Sequence, residues 1–252
     1  MPEVLDLTFF AFAIPAVIFA GISKGGFGSG AAFAATPLLA LILDPGAAIG
    51  LMLPLLMLMD VTALKPYWRR WDTPSAWALI LGAIPGVALG AALYTIANPD
   101  VFRLLIGVIA VGFVLFQIAR AKGWIPPAQS PMSGQAGAFW GMIAGFTSFI
   151  SHAGGPPAAV YLLSRRLDKT TFQATTVICF WAINLLKFIP YFVLGIFTWQ
   201  TAKADLLLIP FAVIGVWIGV HLHHKMSERL FFGFTYLFLI LTGTKLIWEG
   251  LT

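Results

Sequence analysis

Charge is scarce in this chain: Asp, Glu, Lys and Arg make up only 10% of its 252 residues. A soluble domain carries roughly a quarter, so a water-facing globular surface is excluded. Cysteine occurs once, at Cys179. That excludes an intramolecular disulfide, and its place inside an apolar run reads as a small hydrophobe. The start Met1-Pro2-Glu3-Val4-Leu5-Asp6 lacks the basic stretch of a signal peptide, so the first apolar segment is expected to stay in the mature protein. Long polar stretches are missing too, which leaves no room for a folded domain outside the apolar runs. His221, His223 and His224 flank Lys225 without the further ligand that a metal site needs. No metal, cofactor or nucleic-acid partner is expected.

What the chain has instead is apolar surface. Hydrophobic residues reach 60%, the mean hydropathy is +0.91, and runs such as Ala202 to Val220 and Leu230 to Trp248 approach the roughly 20 residues that cross a bilayer. The fold class is therefore an all-α polytopic membrane protein. Its net charge of +5 is read as the Lys and Arg excess of cytoplasmic loops. Trp68, Trp71, Trp77 and Trp199 fall near segment ends, as interfacial anchors do.

Charges and helix breakers delimit helical runs at 7–24, 29–43, 46–64, 75–97 and 101–120, then at 134–150, 154–164, 170–197, 203–222 and 229–249. The segment from Arg120 to Pro131 holds three prolines and no apolar stripe, so it reads as a linker. Residues 1–122 and 134–252 then form two transmembrane units joined by 123–133.

These units repeat. An offset of 124 places Gly21 on Gly145, Gly30 on Gly154, Asp44 on Asp168, Asp60 on Asn184 and Pro66-Tyr67 on Pro190-Tyr191. Further on, an offset of 129 places Gly86 on Gly215 and Gly90 on Gly219. Basic residues collect at Lys65, Arg69, Arg70, Arg120 and Lys122 in the first unit, but at Arg165, Arg166, Lys169, Lys225 and Arg229 in the second, which are the opposite loops of the repeat. With basic loops cytoplasmic, the repeats are inverted, each of about five segments. Runs 29–43 and 154–164 are too short to cross about 30 Å at about 1.5 Å per residue. They read as returning arms of broken hairpins.

Each arm follows a glycine-rich break: Ser23-Lys24-Gly25-Gly26-Phe27-Gly28-Ser29-Gly30 and Ser148-Phe149-Ile150-Ser151-His152-Ala153-Gly154-Gly155-Pro156-Pro157. Lipid cannot bond an opened backbone, so such breaks mark a protein-covered cavity. A following helix offers N–H groups and its positive dipole end to an anion, and opposed hairpins bring the two breaks together near the midplane. Gly82, Gly86 and Gly90, four residues apart on one helix, read instead as packing positions.

Ionisable residues at membrane depth need a partner, a cavity or an escape to the interface. Lys24 reads as an anion ligand or as a snorkelling residue. Asn184 and Lys187, three residues apart, share a helix face, and Lys187 either joins the cavity or reaches the outer interface. His152 either donates to an anion or bonds a backbone carbonyl at the break. The candidate substrate-binding residues are Lys24, Gly25, Gly26, Ser29, Ser151, His152, Gly154, Gly155, Asn184 and Lys187. Asp60 and His152 are the candidates for proton coupling.

The first break followed by Pro37-Leu38-Leu39, and the second followed by Tyr161-Leu162-Leu163 with Asn184-Leu185-Leu186-Lys187 downstream, resemble the TauE/SafE sulfite exporter family. The resemblance runs from Phe10 to Trp248 and departs at Lys24, where members often carry a neutral residue. It implies a multi-pass transporter of the cytoplasmic membrane that moves sulfite, a sulfonate, a related organosulfur anion or a small carboxylate. A passive anion channel uses the same residues and differs only in failing to accumulate its ion. An intramembrane serine hydrolase built on Ser29 and His152 is a further alternative, although residues 27–30 read Phe-Gly-Ser-Gly and lack the first glycine of the rhomboid-like pattern.

The charge pattern makes a topological prediction. In a Cys179→Ala background, single cysteines at Asp44 and Thr198 are expected to react with an impermeant thiol reagent on intact cells, and cysteines at Arg69 and Arg166 to be protected. The reverse labelling refutes the orientation.

Overall fold

The computed structural model describes residues 6–27, 31–126, 130–222 and 228–252. These residues form ten α-helices and no strand. Helix starts are set by short polar caps. Asp6 accepts from Phe9 N to open α1 (Leu7–Ile22), and Asp44 accepts from Gly46 N to open α3 (Pro45–Leu64). Between them lies a short α2 (Ala35–Leu39). Asp72 caps α4 (Thr73–Ile96), Asn98 caps α5 (Pro99–Ala121) and Ser133 caps α6 (Gly134–Ser151). After α7 (Gly155–Ser164), Asp168 caps α8 (Lys169–Val193) through the N–H groups of Thr170 and Thr171. The Thr171 hydroxyl and these N–H groups hold the exposed Asp168 carboxyl below the ordinary carboxylate range. The chain closes with α9 (Trp199–Leu222) and α10 (Glu228–Leu251).

Seven helical stretches among the described residues are long and apolar enough to cross a membrane: Leu7–Gly26, α3, α4, α5, α8, α9 and Phe231–Leu251. The protein is an all-α polytopic membrane protein. The two short arms stand apart: α7 has ten residues, a rise of about 15 Å, or half the hydrocarbon core.

Three boundaries differ from the sequence expectation, each for a local reason. The run 29–43 is not one helix, because Pro37 has no N–H to reach Phe33 O; a 3₁₀ turn over Ala32–Ala34 leads into α2 instead. The run 170–197 stops at Val193, because Gly195 takes φ +67° while Ile196 N reaches Tyr191 O at 3.0 Å and Gly195 N reaches Phe192 O at 3.2 Å. That is a glycine-capped helix end. The run 203–222 begins earlier, at Trp199, where the Thr198 hydroxyl accepts from Thr201 N at 3.1 Å.

Packing follows the glycines. α4 and α6 run parallel with their backbones nearly touching: a Cβ added at Gly82 lies 2.0 Å from Ala138 O, and one at Gly86 lies 2.0 Å from Met142 O. α1 and α9 do the same, with Gly215 against Ile18 O and Gly219 against Ile22 O. Without a hydrophobic force between helices in lipid, close contact of this kind drives association. By contrast, α3 and α8 are antiparallel, Gly50 meeting Ile196 and Asp60 meeting Asn184. So are α5 and α10, where Gly107 meets Gly243 and Gly250 meets Asp100 and Leu104. α3 and α8 thereby occupy the middle of the molecule, with the α1–α9 and α4–α6 pairs packed on them.

The α4–α6 seam supplies a test. Replacing Gly86 by leucine drives a side chain into Met142 O and is expected to lower thermal stability in detergent by at least the about 1–3 kcal/mol typical of overpacking. Gly233→Ala, where an added Cβ meets nothing within 4 Å, is expected to leave the melting temperature unchanged. Equal melting of the two variants contradicts the packing role.

Candidate substrate site

At the first break the helix does not simply end. Its turn widens into a π-helical turn over Ser23–Phe27, a distortion frequent at functional sites. Gly25 and Gly26 lie in that turn flush against α9, an added Cβ falling 2.4 Å from Val216 O and 2.3 Å from Gly219 O. Lys24 is thereby carried into the interior, only 4% exposed. At the second break α6 stops because His152 takes a left-handed conformation, φ +57°, which costs a non-glycine residue roughly 1–2 kcal/mol. His152 N bonds Ser148 O at 2.9 Å and Ala153 N bonds Thr147 O at 3.3 Å, so the strained end is still capped. In α7, Pro156 and Pro157 have no N–H, and its first turn is therefore poor in donors.

The strain at His152 is held in place by its ring. Nε2 lies 2.9 Å from Ile49 O on α3, and Nδ1 lies 2.7 Å from Lys187 Nζ on α8. A carbonyl only accepts, so Nε2 carries the hydrogen and Nδ1 is left to accept from the lysine. Lys187 Nζ also donates to Ser148 O at 3.0 Å. On the other side of the same space, the Lys24 ammonium pairs with Asp60 of α3. Asn184 Nδ2 donates to the second Asp60 oxygen at 2.7 Å, and Gln173 Nε2 donates to Lys24 O at 2.9 Å. Two tyrosines tie down the backbone of the breaks: Tyr67 OH donates to Gly25 O at 3.2 Å and Tyr191 OH donates to Phe149 O at 2.5 Å.

Lys24, Ala32, Phe33, Leu56, Ser148, His152, Phe180 and Asn184 enclose a cavity of about 10 Å³, room for roughly one water. Its walls come from both breaks, the first arm, α3 and α8. Two lysines and one carboxyl group are buried around it: Lys24 is 4% exposed, and Lys187 and Asp60 are fully buried. Ionisable side chains at membrane depth need a partner or a polar cavity, and here each has a hydrogen-bond partner on another element.

Not all of the expected residues meet at this cavity. Lys24, His152 and Asn184 line it, and Lys187 touches it through His152 and Ser148. Lys187 is fully buried, which settles its alternative placement at the interface against it. Asp60 sits behind Lys24 and Asn184. Gly25 and Gly26 face α9, and an added Cβ at Gly154 meets Phe180 and Ala144. Gly155 is buried in the first turn of α7, and Ser151 Oγ turns back onto Thr147 O of its own helix. Ser29 lies outside the described residues, as do His223, His224 and Lys225.

Ser148, Gln173, Phe180, Tyr67, Tyr191 and Asp205 are not among the candidate residues of the sequence reading. Ser148 contributes a carbonyl, which no side-chain pattern reveals. Gln173, Phe180, Asn184, Lys187 and Tyr191 recur at helical spacing along α8, so their stripe is visible once the helix is known. Tyr67 and Tyr191 lie 124 residues apart, and each hydroxyl reaches the carbonyl 42 residues before it. Asp205 was hidden inside an apolar run; it faces inward from α9, buried, with one carboxyl oxygen lacking a hydrogen-bond partner among the described residues.

The family model for sulfite exporter TauE/SafE matches residues 13–246. The chain belongs to the TauE/SafE family. No curated protein and no solved structure matches it. TauE/SafE proteins are transporters rather than enzymes, so membership gives this multi-pass chain a role of the sulfite-exporter type with a small anionic substrate.

The ion pair can be tested apart from transport. Lys24→Gln alone leaves Asp60 buried without its cation and is expected to destabilise the protein by about 3–5 kcal/mol. Adding Asp60→Asn to it is expected to restore most of that loss in thermal melts. A double variant no more stable than the single one contradicts a direct pair.

Proposed function

We propose that this TauE/SafE protein is a secondary transporter that carries a small sulfur-containing anion, sulfite, a sulfonate or a related organosulfur acid, across the cytoplasmic membrane by alternating access. The observation that carries the reading is a cavity walled by both breaks with two buried lysines, Lys24 and Lys187, set against the single buried carboxyl of Asp60. A tetrahedral or pyramidal oxyanion accepts several hydrogen bonds at once. Lys24, Lys187 and Asn184 are the donors within reach, with His152 holding Lys187 in place, and charge-assisted bonds of this kind contribute roughly 1.5–3 kcal/mol each.

Room for one water does not hold an oxyanion with four or more heavy atoms, so the arms must part from α3 and α8 to admit it. Matching contacts in the two halves support such a motion. Tyr67 bonds the carbonyl 42 residues before it, and Tyr191 does the same. Asp60 bonds Asn184, 124 residues on, which is its own counterpart in the repeat. Corresponding helices α3 and α8 are antiparallel, as are α5 and α10. These pairings favour two inverted repeats, residues 1–122 and 134–252 joined at 123–133, rocking about a shared centre.

Charge balance favours a link to protons. One negative charge on the substrate neutralises the site. A dianion leaves one charge over, and a proton on Asp60 or on the His152–Lys187 pair offsets it. Protonating Asp60 also removes the competitor that holds Lys24, so the ammonium turns to the anion as the proton arrives. The hydrolase alternative is disfavoured by His152, whose two ring nitrogens are engaged by Ile49 and Lys187.

Uptake into proteoliposomes of sulfite, a sulfonate and a carboxylate, with and without an imposed proton gradient, tests the reading. Accumulation of a sulfur oxyanion against its gradient is expected, and Lys24→Gln with Asp60→Asn is expected to weaken it about ten- to a hundredfold. Equilibration without accumulation identifies a channel. An unchanged apparent affinity in the double variant removes Lys24 from the site.

A further inference from the structure

A second feature lies on the lipid side of the bundle. Between α5 on one side and α6 and α7 on the other runs a groove of two joined cavities, about 260 and 540 Å³, which share Phe116, Trp140 and Val160. Gly112 opens its upper part, where an added Cβ meets nothing within 4 Å. The upper lining is almost wholly apolar. Its one hydroxyl, on Thr147, is directed at the carbonyls of Ile143 and Ala153. The lower end differs in chemistry: Arg120, the last-turn residue of α5, and the exposed Arg166 beyond α7 stand at its mouth. That mouth is braced, since Met132 N donates to Ser164 Oγ at 3.2 Å and Arg165 Nη1 donates to Met132 O at 3.3 Å.

We propose that this groove binds one anionic phospholipid, its phosphate headgroup held by Arg120 and Arg166 and one acyl chain lying between α5 and α7 up to the second break. Length supports this occupant. From Arg120 to Ile109, the far end of the lining, α5 rises about 16 Å, which is half of the roughly 30 Å hydrocarbon core and so the depth of one leaflet. Charge supports it too: two guanidiniums at the basic end of an apolar slot match a phosphodiester above an acyl chain, the arrangement of basic lipid pockets between transmembrane helices. The chain's upper end lies beside Ala153 and Pro156, which belong to the second break. A bound lipid therefore packs directly against the strained segment that carries His152.

The test is native mass spectrometry of the full-length protein, released from detergent after titration with dioleoyl phosphatidylglycerol or dioleoyl phosphatidylcholine. Phosphatidylglycerol is expected to be retained preferentially. Arg120→Gln and Arg166→Gln are each expected to reduce that retention about fivefold, and both together to abolish the preference over phosphatidylcholine. Gly112→Trp fills the apolar slot and is expected to displace either lipid while leaving the melting temperature unchanged. Equal retention of the two lipids, or phosphatidylglycerol binding unaffected by all three substitutions, overturns the proposal. A lipid-free dimer that disappears on Gly112→Trp assigns the groove to a second copy of the chain and overturns it as well. Retention is read without transport, so the result stands apart from the identity of the carried anion.

Discussion

A lysine and an aspartate buried at membrane depth cannot stand alone, and the pairing of Lys24 with Asp60 organises much of this molecule. The pair joins the first break to α3, and Asn184 extends it to α8 through the second carboxylate oxygen. Because Lys24 must reach Asp60, the end of α1 is held inward, and Gln173 and Tyr67 then tie the carbonyls of Lys24 and Gly25. The opposite break is fixed by a second cation. Lys187 grips Ser148 and His152, and the imidazole reaches across to Ile49. One cavity is thus framed by two lysine-anchored breaks, with the Asp60 carboxyl behind Lys24 and Asn184.

Small residues make that arrangement possible at a distance from it. Polar pairing fixes which atoms meet, but the breaks reach the centre only because their parent helices pack backbone to backbone on neighbours. α1 approaches α9 through Gly215 and Gly219, and α6 approaches α4 through Gly82 and Gly86. In lipid, where burying apolar side chains supplies no hydrophobic force, this contact is the main source of helix association. The same economy of side chains leaves α5 standing off from α6 and α7, and the apolar groove lies in that gap.

Much of the helix inventory was legible. A charge-poor chain with regularly placed caps and prolines marks its helices to within a few residues, and the polar caps Asp44, Asp72, Asn98 and Asp168 all open helices. The misplaced ends were decided by bonds of short range that periodicity does not weigh, such as the left-handed Gly195 and the Thr198 cap. At the site, Lys24, His152, Asn184, Lys187 and Asp60 were legible because a charged or amide group inside an apolar run is conspicuous. The glycines of the breaks were conspicuous as well, yet Gly25, Gly26 and Gly154 serve to pass close to α9, Phe180 and Ala144. A glycine signals that something comes near without saying what.

The sequence by itself determined that the chain is membrane-embedded, helical and interrupted twice by glycine-rich breaks that carry a lysine and a histidine, because hydropathy, breakers and charge are properties of single residues and short windows. Only the tertiary structure decided the partners. Lys24 meets Asp60, Lys187 meets His152, and Ser151 turns away from the cavity, although all stand in the same apolar setting in the sequence. Such choices depend on the direction of each side chain from its helix and on which helices touch. Both are set by packing between segments far apart in the chain, from the 36 residues between Lys24 and Asp60 to the 124 between Asp60 and Asn184.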